Sequence, residues 1–186
     1  MRALFLSFIL LFSLPVSAEL NSTSPDSATL GAQLAEHSPQ CSNFAQTRWL
    51  ADLEAELASS GYFQRSNTGL IWQTLTPVDS RLVLNADNPE MPLAYQVILP
   101  VLNGLLGGDW AALQEHFALD LSGDLSNWQA ELNPTDSVVA ERLKRLQVSG
   151  GEQVRQLQID FVSGDRMTLQ LSPADCAALP GDSSAP

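Results

Sequence analysis

Basic residues, histidines and cysteines are all scarce in this 186-residue chain. Lys and Arg number 9 against 21 Asp and Glu, a formal net charge of −12 at pH 7. A surface of that sign repels phosphate backbones and anionic headgroups alike, which excludes nucleic acid as a partner and argues against peripheral membrane attachment. The two histidines, His37 and His116, lie far apart, and the chain has no G-x-S-x-G nucleophile turn. There is no C-x-x-C pair, and Asp120 with Asp124 does not follow a calcium-loop pattern. Catalysis, a metal centre and a cofactor are therefore not expected. His116, at the end of a predicted helix, is expected to bond the last carbonyls of that helix.

Residues 1–18 read as an export signal. Arg2 supplies the positive charge, Ala3 to Leu14 the apolar stretch, and Val16-Ser17-Ala18 the small-residue cleavage site. The apolar stretch falls well short of the roughly 20 residues that a membrane-spanning helix needs. Cleavage after Ala18 would leave one soluble domain. Residues 19–29 are rich in Ser, Thr, Asn and Pro and read as a disordered lead-in, residues 30–178 as the folded domain, and residues 179–186 as a flexible tail. Cys41 and Cys176 most simply form one disulfide in an oxidising compartment. The other reading, a redox or metal pair, lacks the close spacing those roles usually show.

Strand signals dominate the interior. Leu157, Ile159 and Phe161 alternate with Gln156, Gln158 and Asp160, and Trp128, Ala130 and Leu132 alternate with Asn127, Gln129 and Glu131. Met167, Leu169 and Leu171 follow a Ser163-Gly164-Asp165 turn, and Gly150-Gly151 reads as another. One polar face per strand implies an antiparallel sheet wetted on one side. Leu30 and Leu34 suggest a short helix before Pro39. Leu93 to Leu106 is apolar almost throughout and ends at Gly107-Gly108; Asp109 is a good cap for a further helix carrying Trp110, Leu113 and Phe117 on one side.

Two signatures carry more than pattern. The first is the alternating segment Phe44-Ala-Gln46-Thr-Arg48-Trp-Leu50; the second is Gly69-Leu70-Ile71-Trp72 with Pro77 five residues beyond the Trp. Their order behind an export signal resembles the outer-membrane lipoprotein carrier family, the LolA-like proteins. The resemblance implies an α+β, mainly antiparallel fold: a curved, incomplete β-barrel, or half-barrel, with helices covering its concave face. It implies a monomeric periplasmic carrier that holds lipoprotein acyl chains or another lipid-like cargo in an apolar cavity. An inner-membrane exporter and an outer-membrane acceptor would be its partners. Related half-barrels act instead as non-catalytic envelope sensors or interaction modules, which is the alternative.

On this resemblance, Phe44, Leu70, Trp72, Leu82, Leu84, Ile98 and Leu102 are expected to line the cavity. Trp49, Trp110 and Trp128 are expected in the core. Arg48, on the alternation face of Phe44, is a candidate for a ligand headgroup or for an ion pair within the fold. The family's functional arginine aligns with Ser66, so Arg65 would latch the covering helices only after a register change. That departure implies a divergent paralogue.

Overall fold

The computed structural model describes residues 25–66, 69–85, 101–106 and 109–180. Its nine strands are β1 (Cys41–Leu50), β2 (Ala55–Ser66), β3 (Gly69–Thr76), β4 (Ser80–Leu84), β5 (Phe117–Asp124), β6 (Asn127–Pro134), β7 (Leu143–Gly150), β8 (Val154–Phe161) and β9 (Arg166–Ala174). They form one sheet in the order β4-β3-β2-β1-β9-β8-β7-β6-β5. Every pairing is antiparallel, and β4 and β5 are left as opposite edges, so the curved sheet does not close. Strands pair with their sequence neighbours except at the centre, where β1 lies against β9 with Phe44 opposite Leu171.

Alternation decides which face is dry. Phe44, Phe63, Trp72, Leu84, Leu132, Leu146, Leu157 and Leu169 fall on one face and join a single buried cluster. The helices close it from above. They are α1 (Ser27–His37), α2 (residues 101–106), α3 (Trp110–Gln114) and α4 (Ser137–Ala140). Leu30 and Leu34 of α1, Leu102 and Leu105 of α2, and Trp110 and Leu113 of α3 all enter the same cluster. The expected half-barrel with helices on its apolar face is thus the observed architecture.

Two glycines permit close packing. At Gly61, beside the irregularity in the β2–β3 ladder, a Cβ would run into the carbonyl of Gln73. At Gly150 a Cβ would run into the carbonyl of Gln153 and sit 2.6 Å from the Trp128 ring, so the β7–β8 turn closes beside that indole only with glycine there.

A second, smaller cluster sits on the opposite face. Cys41 is disulfide-bonded to Cys176 with a Cα–Cα distance of 5.4 Å, and Tyr62 and Leu179 pack beside it. The Tyr62 hydroxyl donates to the carbonyl of Pro180 at 3.0 Å. The disulfide expectation holds, whereas a flexible segment starting at residue 179 needs correction. Leu179 is buried and Pro180 is held, because the disulfide brings both onto the sheet.

Three other expectations also change. The lead-in ends sooner than residue 29, since α1 starts at Ser27 under an Asp26 cap whose carboxylate accepts from the Thr29 N–H at 2.9 Å. Phe117 opens β5 and does not extend the α3 face. Trp49 is 40 % exposed: it lies on the outward alternation of β1, near the hairpin tip. Leu93 to Pro100 and Gly107-Gly108 lie outside the described residues.

Candidate functional site

The sheet's apolar face meets the helices above an aromatic trio. Phe44, Phe63 and Trp72 come from three adjacent strands, with ring centroids 4.9 Å apart for Phe44–Phe63 and for Phe63–Trp72. Leu70 and Leu84 face each other across β3 and β4, and Trp72 faces Leu82 in the same ladder. Leu102 packs into this cluster from α2. Six of the seven expected cavity residues therefore share one apolar body; Ile98 lies outside the described residues.

Among the described residues, a crevice of about 10 Å³ lies between α1, α2 and the sheet, lined by Leu34, Ser38, Ser42, Leu105, Leu106 and Leu171 among others. An acyl chain has no room there until side chains of α2 move. A larger cleft of about 450 Å³ lies over the polar alternation of β5 to β8, lined by Asp120, Ser122, Gln129, Glu131, Gln147 and Gln156 among others. It is hydrophilic and is not the expected cavity.

Arg65 is the polar group at the edge of the apolar body. It shares the inner alternation of β2 with Phe63 and lies opposite Leu70 in the β2–β3 register. Its guanidinium donates to the carbonyl of Ser38, which caps the end of α1, at 3.1 Å, and to the carbonyl of Leu106 in α2 at 3.2 Å. No register change is needed for this reach. Two orphan helix carbonyls thereby gain a cation, the arrangement that helix C-termini favour. Burial lowers the Arg65 pKa from the ordinary arginine value, yet a guanidinium keeps its proton in proteins. Among the described residues its Nε has no hydrogen-bond partner.

Side chains also tie α1 to the sheet. Gln33 of α1 donates to the carbonyls of Leu125 and Gly151, and Gln153 donates to the carbonyl of His37. Among the described residues, Arg65 makes the only side-chain hydrogen bond to α2. Lone glutamines in long-range contacts have no sequence pattern, and nothing in the chain's periodicity points to Gln33 or Gln153.

Arg48 takes the structural one of its two readings. It pairs with Asp165 at 3.2 Å near the sheet's rim, and that carboxylate also caps the Ala51 N–H. His116 does not serve its own helix through its ring, which faces the Asp136 carboxylate at 3.6 Å. The hydrogen bonds that Asp136 accepts from Val138 and Val139 place that carboxylate there.

A charged network braces the polar face. Asp160 accepts from Arg145 at 2.9 Å and from Arg166 at 2.7 Å. Burial pushes the Asp160 pKa up, but the bonds from Arg166 and Arg145 outweigh it and leave the pKa below the ordinary value. This contribution to stability is fully present above the unfolded carboxylate pKa of about 3.9 and is lost as the pH falls through the lower folded value. Urea midpoints at pH 7 and pH 3 should therefore diverge less in Asp160→Asn than in the native protein.

Residues 96–185 match the family model described as outer membrane lipoprotein carrier protein LolA-like. The match is a likeness over just under half of the chain, and the matched span begins after the Phe44–Pro77 signatures end. A search of curated proteins gave no match. Among solved structures, the Pseudomonas aeruginosa MucA/MucB complex is similar at 13% identity and a TM-score of 0.44, over 85% of this chain and 59% of that one. The chain thus spans less than two thirds of that relative's length. A LolA superfamily protein, NE2245 from Nitrosomonas europaea, matches at 11% identity and a TM-score of 0.36, covering 83% of this chain and 95% of its own. A DUF1329 family protein from Desulfovibrio piger matches at 11% identity and a TM-score of 0.37, covering 81% and 92%. No helix among the described residues is long and apolar enough to cross a membrane.

Proposed function

We propose that this protein is an exported, periplasmic carrier that takes acyl chains or another lipid-like cargo beneath α2. The observation that carries the reading is the pair of bonds from Arg65 to Ser38 and Leu106 at the edge of the apolar body. Each methylene removed from water is worth about 0.8 kcal/mol, and α2 already occupies the sheet's hollow with Val101, Leu102 and Leu105. Cargo would exchange places with these side chains, so apolar contact is conserved and the transfer stays reversible. With α1 tied at several points, α2 is the element that gives way. Phe44, Leu70, Trp72, Leu82 and Leu84 would then form the wall that cargo touches, with Leu102 on the moving side. An inner-membrane exporter would load such a carrier and an outer-membrane acceptor would empty it.

The test is titration with 11-(dansylamino)undecanoic acid. A hydrogen bond to a charged group contributes about 1.5–3 kcal/mol, so Arg65→Met should tighten probe binding on the order of ten-fold by lowering the cost of moving α2. Arg65→Lys should fall between the two. Absence of both probe binding and copurifying lipid would sink the carrier reading.

The small size of the crevice between α1, α2 and the sheet favours a second reading: an envelope sensor or interaction module that uses the same scaffold without carrying cargo. A stable envelope partner recovered with an unchanged, probe-free protein would favour it.

A further inference from the structure

The β1–β2 hairpin extends beyond the rest of its meander. The β2–β3 ladder stops at Ser60 opposite Thr76, where Pro77 follows and has no N–H to continue it. Residues 55–59 of β2 therefore pair with β1 alone, from Leu50 opposite Ala55 to Gln46 opposite Ser59. Their other side has no ladder partner among the described residues. An open edge of this kind is a template for another strand.

The side chains there state a preference. Glu56 lies opposite Trp49 and Leu57 opposite Arg48, so the two fall on opposite faces of the sheet. Leu57 is 54 % exposed, and Leu53 at the tip is 70 % exposed. Asp52, Glu54 and Glu56 crowd the hairpin, and residues 49–64 contain no Lys or Arg. The basic groups across the sheet are engaged: Arg48, opposite Leu57, by Asp165, and Arg166, opposite Trp49, by Asp160.

We propose that the edge at residues 55–59 accepts an extended peptide segment of a partner protein, with basic and apolar residues at alternate positions. Period-two alternation places its basic residues beside Glu56 and its apolar residues beside Leu57. A second copy of this chain is a poor occupant, because the same three carboxylates would face each other. The site lies at the end of β2 opposite Arg65 and is independent of the carrier reading.

The probe is a fluorescein-labelled ten-residue peptide alternating Val and Lys, titrated into the full protein at low salt. It should bind at least ten-fold more tightly than its Val-Glu counterpart and than a peptide of five Val followed by five Lys. Amide exchange in residues 55–59 should slow on binding. Glu56→Lys with Leu57→Lys should lose at least ten-fold in affinity while the thermal midpoint stays near that of the native protein. The proposal is overturned if the peptides bind equally or not at all. It is equally overturned if protection maps to another surface such as the Asp120–Glu131 cleft, or if the edge pairs with a second copy of the chain.

Discussion

Removing the disulfide by Cys41→Ser with Cys176→Ser should destabilise the protein by on the order of 4–5 kcal/mol. The bond links residues separated by 135 positions. A crosslink closing so long a loop chiefly restricts the unfolded chain, and the chain-entropy model gives that magnitude for a loop of about this length. For a domain of this size the thermal midpoint should fall on the order of 10–20 °C. A local loss accompanies the global one. Leu179 and Pro180 depend on the bond to lie on the sheet, so Tyr62 should become accessible and its hydroxyl should lose its carbonyl partner. Calorimetry of the double variant against the disulfide-bonded native protein checks the first, and nitration of Tyr62 by tetranitromethane the second. A shift below about 2 °C would show that the unfolded chain is already compact enough to make the link redundant.

The second large effect is expected at Trp128. It is fully buried, its ring meets Trp110 edge-on with centroids 5.6 Å apart, and its indole N–H donates to the Gly151 carbonyl at 2.8 Å. Trp128→Ala should cost about 3–5 kcal/mol through lost contacts and the hole left behind. Trp128→Phe keeps most of the ring and should cost roughly 1–3 kcal/mol, for the lost hydrogen bond and imperfect filling. The same carbonyl accepts from Gln33, so loosening the β7–β8 turn should also loosen α1. Urea unfolding gives the magnitudes, and amide exchange in residues 27–37 reads the effect on α1.

The strands were legible because their chemistry is local. In β6 the apolar positions recur every second residue and are the buried ones, and in β8 Leu157 and Ile159 follow the same rule, although Asp160 is buried too and Phe161 only half so. The sheet's openness and the helical cover came from the resemblance, since alternation alone cannot tell a flat sheet from a curved one. Arg65 was harder to read. Its reach to the carbonyls of Ser38 and Leu106 depends on sharing a face with Phe63, and nothing local in the sequence around Arg65 signals those partners. Arg48 shows the converse: its face was read correctly, but Asp165 lies across a turn that only the fold brings near. The packed interior was not legible, because Leu102 and Leu105 look the same in sequence whether they roof a void or fill it.

The strand order has a consequence for how the molecule assembles. β1 to β4 and β5 to β9 are each ribbons of neighbouring strands, and both can zip from their own turns with little chain to draw in. The β1–β9 pairing is the one strand contact that must wait for distant segments to meet, and loop closure of that length slows folding far more than it weakens the final state. The two arms should therefore form early and dock late, with Phe44 beside Leu171 at the closing seam. Cys41 and Cys176 stand at one end of that seam, so oxidation before docking would act as a guide and not merely as a lock.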